Sequence, residues 1–304
     1  MSYNNNCIFN QDKETLEKIK INNNKILKVL HKKLIELYIN NKTSDSEKKV
    51  ISERLSELLS ITEEFFNKIK FAMNSLDELF AQNVINKSDK LAISFNGGKD
   101  CLAAYIVIKY YFFCKKFAYS YDLNSFVTFC NESSENKENH YNLKETGVYF
   151  IYFLNDDYFK EEEDYVIDFI RKEKIDSFCF YSDIVTGLKF LIQNYDLKFV
   201  IMGVRDDDVS LSYKQKLNSQ NLLHPSTNPY PTFLRFYPIY NFTFEDVWKI
   251  ILVSNYKYLE LYDKGFSSIG KKHNTMVNQN LIINNSILPA WCLKKYDSER
   301  EFRK

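Results

Sequence analysis

The sequence has no pair of cysteines at metal-ligand or redox spacing. Its six cysteines (Cys7, Cys101, Cys114, Cys130, Cys179 and Cys292) are scattered, with no C-x-x-C among them. That argues against a zinc site, a thioredoxin-like dithiol and a disulfide framework, and it favours a reducing compartment. An excess of charge is missing too: 41 Lys and Arg stand against 40 Asp and Glu, a formal net charge of +1. Nothing in that balance calls for nucleic acid or an acidic membrane as partner. No apolar run approaches the roughly 18 residues of a membrane span. Met1-Ser2-Tyr3-Asn4-Asn5-Asn6 shows neither the apolar region of a signal peptide nor the arginines of a transit peptide, so the expected location is cytoplasmic. The four histidines, His31, His140, His224 and His273, sit in no catalytic context.

What the chain does have is a core and a loop. Apolar residues make up 45% and aromatic residues 16%, ample for a core, and 304 residues suit one large domain or one domain with an extension. The loop is Ser94-Phe95-Asn96-Gly97-Gly98-Lys99-Asp100-Cys101. An apolar run, Leu91-Ala92-Ile93, precedes it, and Leu102 to Ile108 follows it as a buried helix. A strand that turns through two glycines into a helix is a place to hold phosphate. Glycine lets the backbone approach an anion closely, and the helix N-terminus offers unpaired N–H groups and partial positive charge. Lys99 adds a full charge and Ser94 a hydroxyl. The pattern is neither a Walker A loop nor a dinucleotide G-x-G-x-x-G. It resembles the modified pyrophosphate loop of the adenine nucleotide α-hydrolase-like superfamily.

The chain divides into three parts. Residues 1–85 read as a helical extension. Leu27, Val29, Leu30, Leu34, Ile35 and Leu37 mark one amphipathic helix; Ile51, Leu55, Leu58, Leu59 and Ile61 mark another; Phe65, Phe66, Ile69, Phe71, Met73 and Leu76 extend or follow it. Asn40 to Asp45 is a turn with a helix cap at its end. Residues 86–304 read as the catalytic α/β domain, with a nucleotide-binding core over 88–204. Strands are expected at Lys90–Phe95, Phe126–Cys130, Val148–Phe153, Ser177–Tyr181 and Phe199–Met202, and helices at Cys101–Phe117, Glu161–Lys172 and Asp183–Asn194. That alternation predicts a twisted parallel sheet covered by helices on both faces. Ligands in such sheets sit beyond the carboxyl ends of the strands. The glycine loop ends the first strand, and Gly203-Val204-Arg205-Asp206-Asp207-Asp208 ends the last. Residues 205–304 change character. Pro225, Pro229, Pro231 and Pro238 mark a loop rather than a regular element. Thr243 caps an apolar helix through Trp248.

These residues carry a family resemblance over roughly residues 60–304. The chain resembles the eukaryotic-type FAD synthases (FMN adenylyltransferases) of the phosphoadenosine-phosphosulfate-reductase-like group. The Ser94–Cys101 loop looks like that family's Ser-Tyr-Asn-Gly-Gly-Lys-Asp-Cys. Gly203-x-Arg205-x-x-Asp208 is similar to its Gly-x-Arg-x-x-Asp, and Pro231-Thr232-Phe233-Leu234-Arg235 to its Trp-Pro-x-Phe-Met-Arg. Phe242-x-x-Glu245-Asp246-Val247-Trp248 matches a family helix ending in Val/Ile-Trp. Leu261-Tyr262-Asp263-Lys264-Gly265-Phe266-Ser267-Ser268-Ile269-Gly270, Leu288-Pro289-Ala290-Trp291 and Glu299-Arg300-x-x-Arg303 follow in order. Tyr230 replaces the family's Trp, Val209 its Pro, and Asn278-Gln279 its Asn-Pro. The stretch from Asp208 to Tyr230 is longer than in the family.

The resemblance implies adenylyl transfer from ATP to FMN, giving FAD and pyrophosphate. The attacking phosphate is already anionic, so positioning and charge neutralisation suffice. It implies that Asn96, Asp100, Asp208, Arg300 and Arg303 line the active site. Ser94, Gly97, Gly98 and Lys99 are expected on the leaving pyrophosphate, with Tyr230, Arg205 and Arg235 as further binding residues and residues 205–304 as the flavin-binding segment. Mg²⁺ is expected to bridge phosphate oxygens, and no residue is assigned as a metal ligand. Asp208 suits either a flavin-ring N–H or a metal. Asp100 suits the site or a plain helix cap. Cys101 reads as a small buried filler rather than a nucleophile. The partners are small molecules, with no nucleic acid and no membrane. A sulfonucleotide reductase would need a redox cysteine, for which Cys292 is poorly suited. A tRNA-modifying ATPase would want a basic face and paired cysteines. A non-catalytic FAD-binding protein on the same fold would bind without turnover.

Overall fold

The computed structural model describes residues 32, 35, 36, 38, 39, 43–86, 91–133, 141–144, 146–209 and 222–303. The helix expected from Leu27, Val29, Leu30, Leu34 and Leu37 lies outside them, as do Cys7 and most of the long stretch after Asp208. Six strands form the main sheet: β1 (Leu91–Ser94), β2 (Val148–Phe153), β3 (Ser177–Phe180), β4 (Phe199–Ile201), β5 (Leu223–Pro225) and β6 (Leu234–Phe236). Their order is β3-β2-β1-β4-β6-β5. Every neighbouring pair is parallel except β5 with β6, which is antiparallel. A small hairpin, β7 (Ile282–Ile283) with β8 (Ser286–Ile287), stands apart.

Alternation along each strand divides the core. Leu91, Ile93, Val148, Phe150, Phe199 and Ile201 point to one face. Ala92, Tyr149, Ile151 and Val200 point to the other. The first face is covered by α3 (Lys99–Phe117), α4 (Leu123–Ser133), α5 (Lys160–Glu173) and α7 (Phe244–Val253). The second is covered by α6 (Ile184–Tyr195), through Leu188 and Leu191. Burial on both sides explains why β1, β2 and β4 read as unbroken apolar runs. The helix caps are local and legible. Asp183 accepts from the Thr186 N–H at 2.9 Å to start α6, and Thr243 and Asp246 form a capping box on α7.

Two sequence expectations are overturned. Phe126–Cys130 is not a strand; it lies in α4. Phe126, Phe129 and Cys130 fall at helical spacing and bury one face, and Asp122 accepts from the Ser125 N–H at 2.8 Å to start the helix. A short apolar run does not separate a strand from a buried helix by pattern alone. The proline-marked region is also more regular than expected, because β5 and β6 lie within it. Pro225 is tolerated because β5 is an edge strand, where one missing donor is harmless.

The two helices before the sheet are α1 (Asp45–Leu58) and α2 (Glu63–Ala81). Ser44 caps α1 in a box with Glu47, and Thr62 caps α2. Leu55, Leu58, Phe65, Ile69 and Met73 enter the same core as α3 and α7. Arg54, buried on α1, donates through Nε to the Trp291 carbonyl and through Nη2 to the Tyr296 hydroxyl, each at 3.0 Å. The extension is thereby tied to the far end of the chain. Leu55→Ala should therefore lower unfolding free energy by about 2–5 kcal/mol in a denaturant titration, with one transition. A separate, early transition confined to α1 and α2 would show that they do not share the core.

Candidate active site

The glycine loop hangs on an aromatic anchor. Phe95, fully buried after β1, stacks against Phe150 and Phe169 with ring centroids 4.8 and 4.6 Å away. Gly97 then takes φ of +80°, a conformation natural to glycine. Gly98 is the N-cap of α3 and has no side chain to satisfy the helix's first N–H groups. Asn96 Oδ1 accepts from the Gly98 N–H at 3.1 Å and from the Cys101 Sγ–H at 3.0 Å. The Lys99 N–H donates to the Tyr262 hydroxyl at 2.9 Å. Gly203, after β4, packs so closely that a Cβ there would lie 2.4 Å from the Asp100 carbonyl carbon. The loop and the end of β4 are thus pressed together, and only glycine permits it.

Beside the loop lies a cavity of about 250 Å³. Ser94, Asn96, Gly98, Lys99, Asp100, Arg300 and Arg303 all line it, with Tyr152, Phe153, Tyr158 and Ile184 as aromatic and apolar wall. Arg300 and Arg303 belong to one turn, closed by the Arg303 N–H donating to the Arg300 carbonyl at 3.0 Å. Arg303 Nη1 reaches Ser268 Oγ at 3.3 Å. The helix N-terminus and two guanidinium groups together suit an anionic ligand.

Behind the cavity is a compact charge cluster. Lys99 Nζ lies 2.5 Å from Glu299 Oε1 and 2.9 Å from Asp100 Oδ2. Arg205 Nη2 lies 2.6 Å from Glu299 Oε2, and Arg205 Nε is 2.9 Å from Asp100 Oδ1, off the hydrogen-bond axis. Asp208 Oδ1 completes the chain, 2.6 Å from Arg300 Nη2 and 3.5 Å from Arg205 Nη2. Three cations face three carboxylates, so the cluster is balanced. Burial alone would raise the Asp100 carboxyl, but the Lys99 ammonium and Arg205 guanidinium hold it below the usual range. Burial likewise disfavours the Lys99 charge, and Asp100 and Glu299 more than restore it. Burial and the nearby Asp100 charge raise Asp208 against the pull of Arg205 and Arg300. Burial pushes the Cys101 thiol up to about 12, which removes it as a nucleophile.

Several expected site residues are placed differently. The Lys99 ammonium, expected on a phosphate, is 2% exposed and committed to Asp100 and Glu299. Arg205 is fully buried and also spends its guanidinium on carboxylates. Tyr230 and Arg235 are not brought to the cavity. The β6 strand runs parallel to β4 and starts at Leu234, so the loop carrying Tyr230 lies at the opposite end of the sheet from the glycine loop. Arg235 Nη2 donates instead to the Pro225 carbonyl at 2.8 Å. Gly97 shapes the turn without lining the cavity, and Asp208 reaches it through Arg300. Two residues were missed. Glu299 and Tyr262 stand inside the quoted motifs, but neither was given a role. Their signal is the motifs' own composition: an acidic residue beside an arginine pair, and a tyrosine within the Leu261–Gly270 run.

A family model for the phosphoadenosine phosphosulfate reductase domain matches residues 90–277, more than half of the chain. The chain belongs to this family. It is 24% identical over 226 residues to a probable FAD synthase of Schizosaccharomyces pombe, covering 71% of this chain and 72% of that protein. It is 26% identical over 243 residues to a probable FAD synthase of Caenorhabditis elegans, covering 78% of this chain but 40% of that longer protein. Among solved structures, Candida glabrata FMN adenylyltransferase in complex with ATP superposes with a TM-score of 0.59 at 16% identity, over 93% of this chain and 96% of that one. Yeast FAD synthetase in complex with FAD gives 0.55 at 16%, over 93% and 99%. These likenesses show the α/β fold expected from the strand pattern.

One further carboxyl stands near the loop. Glu162 on α5 is 4% exposed, and burial pushes it up to about 8 against the pull of Arg303. Its folded value lies above the ordinary 4.5, so the native state keeps a proton that the unfolded chain releases. The associated stability is complete below the ordinary value and is lost as pH rises toward about 8. Glu162→Gln, neutral throughout, should gain on the parent protein across that window in denaturant midpoint. An unchanged difference between the two from about pH 5 to 8 would contradict this.

Proposed function

We propose that this protein transfers the adenylyl group of ATP to FMN, giving FAD and pyrophosphate. The observation that carries the reading is the single cavity shared by the glycine loop and the Arg300–Arg303 turn. The names of the relatives support it. An FMN phosphate oxygen attacks the α-phosphorus in line; the bond from that phosphorus to the β-bridging oxygen breaks, and pyrophosphate leaves. No general base is needed because the nucleophile is already an anion. The chain's task is to hold two polyanions in line and to spread their charge. Ser94, Asn96, Gly98 and the first turn of α3 take the leaving pyrophosphate, and Gly97 shapes the turn that presents them. Arg300 and Arg303, at the rim, take the transferred phosphate or that of FMN. Lys99, Arg205 and Asp100 act behind them as support. Asp208 orients Arg300 and is available to a flavin-ring N–H.

The donor set does not fit a resident metal. Among the described residues no group of three or more His, Cys, Asp or Glu is arranged to hold one. Asp100, Asp208 and Glu299 are each paired with a lysine or arginine. Mg²⁺ therefore belongs to the substrate, carried on ATP's phosphate oxygens. The cysteine distribution supports a reducing, cytoplasmic setting as part of the same proposal. No described helix is long and apolar enough to cross a membrane. The division into a helical extension (1–85), a nucleotide-binding part (88–204) and a flavin-binding part (205–304) also belongs to this reading. Sulfonucleotide reduction is disfavoured, because Cys292 is buried and burial holds its thiol well above the ordinary range.

Incubation with FMN, ATP and Mg²⁺ should yield FAD, followed by chromatography. A folded protein that makes none above background would sink the proposal. Asp208→Ala and Arg300→Ala should each lower kcat by about a hundredfold, as loss of a preorganised electrostatic group does, with circular dichroism unchanged. Wild-type rates in both variants would show that the residue roles are wrong.

A further inference from the structure

Glu299, which does not itself line the cavity, joins the two halves of the charge cluster. The Glu299 carboxylate is 6% exposed. Its two oxygens are divided between two cations from different elements: Oε1 to Lys99 Nζ at 2.5 Å and Oε2 to Arg205 Nη2 at 2.6 Å. Lys99 is the first residue of α3, directly after the glycines, and Arg205 follows β4. The main chain beside Glu299 is pinned from a third direction. Ser267 Oγ–H donates to the Glu299 carbonyl at 2.7 Å, and Asn278 Nδ2–H donates to the Ser298 carbonyl at 2.9 Å. The next residue, Arg300, emerges at the cavity rim with its side chain 45% exposed and is steadied by Asp208 at 2.6 Å. Arg303 follows one turn later.

We propose that Glu299 is a positioning residue that clips the Arg300–Arg303 turn onto the glycine-loop helix. The arginines and the phosphate loop then share one frame. A carboxylate serving two buried cations cannot be replaced by a neutral group of the same shape without leaving both under-compensated. The turn then loses its fastening, and a displacement of the arginines of about 1 Å suffices to slow transfer.

The test uses the full chain with Glu299→Gln, and it rests on the adenylyl-transfer reading only for its kinetic arm. Backbone amide exchange over 296–303 should quicken by about tenfold while α7 is unchanged, a readout independent of catalysis. FAD formation should fall roughly 10- to 100-fold in kcat, with KM for ATP within about twofold, as for a change in positioning. Glu299→Gln added to Arg300→Ala with Arg303→Ala should be no slower than that pair alone, because it acts through those two arginines. Should Glu299→Gln fail to fold, Lys99→Met with Glu299→Gln removes one charge of each sign and should fold with the same rapid exchange. Unchanged exchange over 296–303, or a further kinetic loss when Glu299→Gln is added to the variant lacking both arginines, would overturn the clip. A wild-type protein that forms no FAD, with exchange altered as expected, would overturn the reaction and leave the clip standing.

Discussion

A carboxylate held between two buried cations organises this molecule. Lys99 and Arg205 come from the carboxyl ends of two adjacent parallel strands, and like charges there repel. Glu299 allows them to coexist within one small volume. Asp100 and Asp208 extend the same solution outward, so that three positive and three negative groups neutralise one another. In surroundings with little water, such an arrangement is stable only when complete, because each missing partner leaves a charge with no solvent to receive it. The cavity's electrostatics follow. The buried cations Lys99 and Arg205 are spent on carboxylates, and the arginines at the rim carry the positive charge that faces the cavity.

The hydrocarbon part of the fold serves the same geometry. Phe95 is locked between Phe150 and Phe169, so the loop leaves the sheet in one direction only. Gly203 lets the end of β4 touch the backbone of Asp100. The later motifs act as scaffolding around this seam. The Tyr262 hydroxyl takes the first N–H of α3, Ser267 and Asn278 hold the chain at Ser298–Glu299, and Trp291 donates its indole N–H to Tyr258 at 3.0 Å. Asn278 shows what the departure from the family's Asn-Pro leaves intact: the asparagine does the bonding, and the following Gln279 is exposed.

Much of this was legible in the sequence, for identifiable reasons. The glycine loop stands out because two adjacent glycines interrupt an apolar strand and a long buried helix. Strands β1, β2 and β4 are legible because burial on both faces leaves uninterrupted apolar runs. Phe126–Cys130 misleads because five apolar-rich residues fit either period. The β5–β6 pair is hidden by prolines that an edge strand tolerates. The position of Tyr230 depends on the direction in which β6 runs, which no local pattern encodes. Lys99 follows two glycines in sequence, which points it toward a phosphate. Its neighbours in space include Glu299, 200 residues away.

That separation orders the events of biosynthesis. A nascent chain emerges with its glycine loop long before Glu299 is joined to it, so Lys99 and Arg205 first meet without the anion that reconciles them. The sheet can collapse early on its aromatic core, whereas the cavity is completed by a contact of very high sequence separation. Completion of the cavity is thus late: a partly translated chain has the glycine loop but not the Arg300–Arg303 turn that shares the cavity with it.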